Sequence, residues 1–388
     1  MTLPRRFLED QVKAITRRCA DRKLLLLPLP EVKQIVEYAL AVALSRYPSV
    51  HLIAVVVLGN HEHLLLHDAR APGECSEVSA FFQDFHSLTG RSLNHYWGRG
   101  GALWCQGSFD DVDVIGERTL EEQLLYLWLN PTEAGLVERP RDWPGLIRLP
   151  EDFGQSSTVE KPKTGFFTGA AGDGEQPALS PESRRLRALR EEEAESLAAL
   201  RERRRDEERG RKGRRRRELE RERARRRRRR RKEKERAPRS PNQASRSTLP
   251  EVATYTVHRP PGYEHLSDDE VRAHFRKLLE DRLAALHAER LAQGFRRYLG
   301  PDGVLAQRPE DAPAGGTRPS FGRNPRIACK DKERRIGEIL RLQEWRHRYR
   351  AALEEWNRKN YEAVFPEGTY AMARFHGARV ERAPPRAA

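Results

Sequence analysis

Residues 50–67 read VHLIAVVVLGNHEHLLLH. Val50 to Leu58 is a nearly unbroken β-branched and aliphatic run, the composition of a central strand. Gly59-Asn60 supplies the turn, and His61 to His67 reads as a second strand folding back as a hairpin. His61 and His63 stand two apart, so both imidazoles leave one face of the strand while Glu62 leaves the other. Two nitrogen donors then converge. Such a pair is equally at home as a structural feature, and imidazole suits zinc and other transition metals better than magnesium, so the pair alone does not choose an ion.

Working outward, Val12 to Cys19 reads as a short strand, and Pro30 to Tyr47 as a helix with Val32, Ile35, Val36, Ala39 and Leu40 at helical spacing, closed by Pro48. Ser76 to Asn94 places Val78, Phe81, Phe82, Phe85, Leu88 and Leu93 on a helical period. Leu120 to Leu129 is a further apolar helix, expected to end before Asn130-Pro131 because the residue preceding a proline is pushed out of the helical region. The order strand, helix, two strands, helix, helix predicts an α+β domain over residues 1–150.

The rest of the chain divides by composition. Residues 151–181 turn to Gly, Ser, Pro and Lys and read as a flexible linker. Residues 182–248 form an Arg/Glu-rich low-complexity segment with seven consecutive arginines from Arg225 to Arg231. Residues 249–388 are predicted as a helical region. Ser267 and Glu270 have the spacing of a capping box, with Val271, Phe275, Leu279 and Leu286 forming one stripe after it. A last helix is expected over residues 330–359, with Ile336, Ile339, Leu340, Tyr349, Leu353 and Trp356 as its apolar positions.

The 388 residues exceed one ordinary domain, and with 34% charged against 37% hydrophobic residues one continuous core is not expected. No apolar run approaches the ~18 residues of a membrane span, and the N-terminus has no export signal, so a cytoplasmic protein, nucleoid-associated when bound to DNA, is expected. Cys19, Cys75, Cys105 and Cys329 form no C-x-x-C pair and read as reduced, buried thiols. The net charge of +15 sits in the middle of the chain: residues 182–236 hold 27 Lys or Arg against 14 acids, whereas residues 1–150 hold 16 against 19. Phosphate attraction of this kind is indifferent to sequence and sensitive to salt, and Arg225, Arg228 and Arg231 are its natural carriers. A solvated spacer explains the same segment equally well.

Four stretches in order give the N-terminal domain a resemblance. Leu58 to His63, LGNHEH, is similar to the M-P-N-H-x-H text of the REP-associated tyrosine transposases, within the single-tyrosine HUH transposases. Ala14 to Arg18 reads AITRR, Asn94 to Trp104 fits N-x-x-x-G-R-x-G-x-L-W, and Tyr126 to Val137 reads YLWLNPTEAGLV, close to the family's Y-I-x-x-N-P-x-x-A-G-L-V. The resemblance covers roughly residues 10–146.

It implies a ferredoxin-like, antiparallel sheet with flanking helices, which in the family often supports a homodimer. It further implies His61 and His63 holding Mg²⁺ or Mn²⁺ against the phosphate of single-stranded or hairpin DNA, and a helix-borne tyrosine that becomes covalently attached to it. In the family as read here, that tyrosine stands about five residues before the N-x-x-x-G-R text, where this sequence has Thr89. Tyr96 is then the nearest alternative nucleophile, Asn94 the nearest third ligand, and Tyr126 reads as structural. Arg17, Arg18, Arg99 and Trp104 are the predicted nucleic-acid contacts of the domain, with packing as the competing role of Trp104. With the usual tyrosine missing, two readings stay open: a strand-transferring enzyme, or an inactive DNA- or RNA-binding protein on the same fold.

Overall fold

The computed structural model describes residues 5–106, 109–163, 249–295, 297–312 and 326–381. Strand β1 (Gln11–Arg18), helix α1 (Pro30–Arg46), strands β2 (Val50–Val57) and β3 (His61–Asp68), helix α2 (Val78–Tyr96), strand β4 (Asp110–Ile115) and helix α3 (Glu117–Glu133) follow in order. Beyond them come β5 (Ser156–Glu160), β6 (Val252–Thr256), α4 (Asp268–Ala292), α5 (Gly300–Leu305), β7 (Ile327–Cys329) and α6 (Lys332–Asn357). The class is α+β with a mixed sheet of order β2-β3-β1-β4-β7, in which the last pair is parallel and the others antiparallel.

The hairpin forms as its sequence dictates: the Leu58 amide donates to the His61 carbonyl at 2.8 Å across Gly59-Asn60. Pairing of β3 with β1 sets His63 opposite Thr16, Glu62 opposite Arg17 and His61 opposite Arg18. The two faces of β3 therefore differ. Helix α2 covers the Glu62 face through His86, and α1 packs on α2; helix α3 packs on the sheet and carries Tyr126, whose ring meets His63 on the opposite face.

Four expectations are corrected. Strand β4, DDVDVI, carries no apolar alternation because the inward positions of its buried face are Asp111 and Asp113. They are tolerated there by Lys13, whose ammonium lies 2.5 Å from Asp113, and by Arg5, Arg6 and Arg326. The stretch read as linker contains β5, which pairs with β6 across the undescribed segment, and β6 and β7 interrupt the region read as helical. Helix α3 continues through Pro131 to Glu133; the proline removes one amide donor, but Pro131 and Thr132 are buried against the fold and the turn ends on Gly135 at φ 73°. Finally, the stretch after 249 is not wholly separate: up to Val304 it shares the N-terminal core, Phe275 of α4 packing against Trp128, Phe153 and Tyr263, while two smaller clusters around Trp345 and Phe365 stand apart from it.

The capping box before α4 is present, with the Ser267 hydroxyl accepting from the Glu270 amide. In α6, by contrast, Ile336, Ile339 and Leu340 are exposed, and Leu342, Trp345 and Ala352 form its buried side. The thiols of Cys19 and Cys329 are buried, whereas Cys75 is exposed. No helix among the described residues is long and apolar enough to cross a membrane.

The edge strands of the sheet are β2 and β7. Strand β7 lies along β4, while Ile147 and Val257 bridge to Val56 and Leu52 of β2. At the β2 edge the His51 ring stacks on His258 with centroids 3.8 Å apart. Burial, His258 and His67 push the His51 imidazole down to about 4, from 6.5. The unfolded chain therefore binds the extra proton first as pH falls, and stability is lost between about pH 6.5 and 4. Urea titrations of the His51→Phe variant should show a shallower loss over this window; an unchanged slope contradicts the assignment. Phe275→Ala should cost about 3–5 kcal/mol in the same assay, and a cost near zero would mean that α4 does not share the core.

Candidate active site

On the face of β3 that α3 adjoins, the rings of the buried His63 and the half-buried His61 stand edge to face with centroids 4.8 Å apart. The hydrogen bonds define their protonation. The Nδ1 of His61 lies 2.6 Å from the Asn60 side-chain oxygen, which can only accept, so Nδ1 carries the proton. The Asn130 amide nitrogen donates to Nε2 of His63 at 3.3 Å, so the proton of that ring is on Nδ1, 2.8 Å from the Thr16 hydroxyl. Both Nε2 atoms thus keep their lone pairs. Burial and neighbouring positive charge hold both rings neutral: His61 is pushed down to about 4 and His63 well below its ordinary value.

Helix α3 completes the face. Tyr126 and Asn130 are separated by four residues and so project from one side of the helix. The Tyr126 ring meets His63 edge to face at 5.6 Å, and the phenol is 47% exposed, so it is open to an incoming ligand. Leu120, Leu124, Leu127, Trp128 and Leu129 of that helix are buried. Residues after 249 fix the helix at both ends. Tyr263 and His274 both donate to Glu121, at 2.9 and 2.8 Å, and the Leu299 amide donates to the Gly135 carbonyl at 3.0 Å.

Behind the strand, Glu62 is fully buried and accepts from Nε2 of His86, whose Nδ1 in turn accepts from Arg17 at 2.7 Å. Burial pushes the Glu62 carboxyl up to about 8, against the opposing pull of Arg17. This buried chain anchors the middle residue of the H-x-H triplet and thereby orients the two histidines on the far side.

The predicted site residues therefore part company. His61 and His63 come together as expected, and Arg18 is exposed opposite His61 in the strand register. Thr89 does not join them: it is sealed in α2, behind the sheet, where no substrate reaches its hydroxyl. Tyr96 packs on Trp97 and bonds to Glu31, and burial with that carboxylate pushes its phenol up to about 12, the wrong direction for a nucleophile. Asn94 is occupied with the loop that follows it, donating to the Gly101 carbonyl at 2.8 Å and accepting from Arg99 at 2.9 Å, so neither Asn94 nor Arg99 is set towards the histidines. Trp104 is buried and donates to the His86 carbonyl, a packing role, while Arg17 serves the buried chain. Arg225, Arg228 and Arg231 lie outside the described residues. Tyr126 and Asn130, read as structural and as a helix terminator, are the residues the sequence reading missed; their four-residue spacing within the apolar second half of the helix was the available signal.

Comparison with known proteins leaves the family unassigned. No family model matches the chain, and no curated protein matches it. Solved structures do: a REP-associated tyrosine transposase bound to a REP hairpin, at 19% identity over 45% of this chain and 96% of that one, has a TM-score of 0.33. A Deinococcus radiodurans R1 protein described as a candidate transposase, at 20% identity over 32% of this chain and 95% of that one, has a TM-score of 0.23. At these scores neither likeness carries an argument, and the functional reading rests on the geometry of the face.

The ring assignments are open to direct measurement. Imidazole ¹⁵N–¹H correlation spectra at pH 7 should show His61 and His63 as neutral Nδ1–H tautomers; an Nε2–H tautomer at either contradicts the hydrogen-bond pattern.

Proposed function

We propose that this chain is a single-tyrosine DNA strand transferase of the transposase type, acting on single-stranded or hairpin DNA. The observation that carries the reading is the meeting of an exposed phenol with two neutral imidazoles and a carboxamide on one face of a sheet. Among the described residues no three His, Cys, Asp or Glu side chains are grouped to hold a metal, so the donor set considered is two imidazoles and an amide. That set fits a divalent cation: both Nε2 lone pairs are free of protons, and a half turn of the Asn130 amide presents its oxygen in place of its nitrogen. Thr16 and Asn60 act as the outer partners that fix ring orientation. Mg²⁺ or Mn²⁺ held there would draw charge from the phosphoryl oxygens of the substrate.

In the proposed reaction the Tyr126 oxygen attacks phosphorus, its proton passing to solvent, and the bond from phosphorus to the 3′ oxygen breaks. The departing 3′ oxygen takes a proton from solvent, and the 5′ phosphate remains on the tyrosine. Attack by another 3′ hydroxyl restores a phosphodiester and frees the phenol, so bond energy is conserved. Arg18, beside His61, is suited to steady a flanking phosphate. The strand order β2-β3-β1-β4, with helices on the crossovers, favours the ferredoxin-like description of this part.

The test is a labelled DNA hairpin incubated with Mn²⁺ and protein, followed by denaturing electrophoresis. A covalent adduct should form with wild type and with Tyr96→Phe, and fall at least 10²-fold with Tyr126→Phe and with the His61→Ala/His63→Ala double variant. Absence of any adduct with wild type would leave the inactive nucleic-acid-binding alternative in possession.

A further inference from the structure

On the face of the sheet opposite the histidines, a groove of about 390 Å³ opens beside α2, lined by Arg5, Arg17, Phe82, Gln83, Trp104 and Phe109 among others. Its volume lies within the range of small-ligand sites, ~300–1,000 Å³. Arg17 is the unusual member. Arg5, Arg6, Arg70 and Arg148, all half-buried or buried, each meet a carboxylate. Arg17 meets none among the described residues; its one hydrogen bond goes to the neutral His86 ring, and its Nε is buried without a partner. Its nearest buried carboxyl, Glu62, lies opposite it in the strand register but is bonded to His86 and forms no ion pair with it, so a guanidinium withdrawn from water here gains from an anion that completes it.

The walls beside it are aromatic. The Arg17 guanidinium stands 5.3 Å from the Trp104 ring centroid, and Phe82 and Phe109 lie 4.4 Å apart, with Arg5 over Phe109 at 3.6 Å. At the mouth, the exposed Gln83 adds an amide able to donate and accept. Planar cation, apolar walls and one amide are the groups that phosphate, base face and base edge require.

We propose that this groove is a nucleotide subsite, in which Arg17 takes a phosphate and the aromatic wall takes the attached base. The inference deepens the strand-transfer reading, on which the identity of its ligand as DNA rests. The phosphate completes the hydrogen bonding of Arg17, beside the packed ring of Trp104. The nucleotide is either one residue of a bound single strand or a free deoxynucleoside monophosphate.

Binding of a labelled twelve-residue oligothymidylate and of free dTMP to the full chain, at one fixed low salt concentration, tests this. Two variants are used: Arg17→Gln, which keeps a hydrogen-bonding group but removes the charge, and Gln83→Trp, which fills the mouth from an exposed position. Both should weaken oligothymidylate binding at least 10-fold. Competition by dTMP would identify a site that also takes the free nucleotide; loss of strand binding without dTMP competition would identify a residue of the strand. Wild-type-like binding by the Gln83→Trp variant, folded by circular dichroism, overturns the proposal, as does failure of wild type to bind either probe. The two readings separate cleanly: groove-dependent binding without any covalent adduct sinks strand transfer alone, and adduct formation with no effect of either variant on binding sinks the groove alone.

Discussion

Alternation along one strand organises this protein. Because successive side chains of β3 leave opposite faces, His61 and His63 must go one way and Glu62 the other. The fold then meets each demand separately. Behind the strand, Glu62, His86 and Arg17 form a buried chain that cannot shift without exposing an uncompensated group. In front, Thr16 and Asn60 take the Nδ1 hydrogens and leave both Nε2 atoms without protons, that of His63 meeting Asn130 on the helix that also brings Tyr126.

Much of this was legible in the residues. The aliphatic run, its turn and the H-x-H spacing gave the hairpin and the shared face of the histidines, and the capping box and apolar stripe gave α4. What escaped had physical causes. Strand β4 hides its pattern because its inward positions are aspartates neutralised by residues far away in sequence, a compensation that local periodicity does not register. The end of α3 escaped because a proline lowers the odds of a helix continuing, while the buried last turn outweighs one missing hydrogen bond.

The residues nearest the histidines were overlooked for a related reason. Reading α2 as the reactive helix made Thr89 and Tyr96 the choices, and only three-dimensional placement separates a helix behind the sheet from one in front of it. Tyr126 and Asn130 were visible in YLWLN as two polar residues one turn apart in an apolar stretch of helix, but their partner His63 is more than sixty residues earlier in the chain. The region after 249 belongs to the same account. It is where α3 finds the ring of Phe275 behind Trp128 and the Tyr263 and His274 donors at Glu121, so that helix is held by residues that composition alone assigned to a separate region.

The central claim is that the phenol beside His63 is the group that bonds to DNA. Proteolysis of the protein after reaction with a hairpin, followed by mass spectrometry of the DNA-bearing peptide, identifies that group directly. The account requires the nucleotide mass on the peptide containing Tyr126. Its appearance on Tyr96, or on any residue of α2, would contradict it.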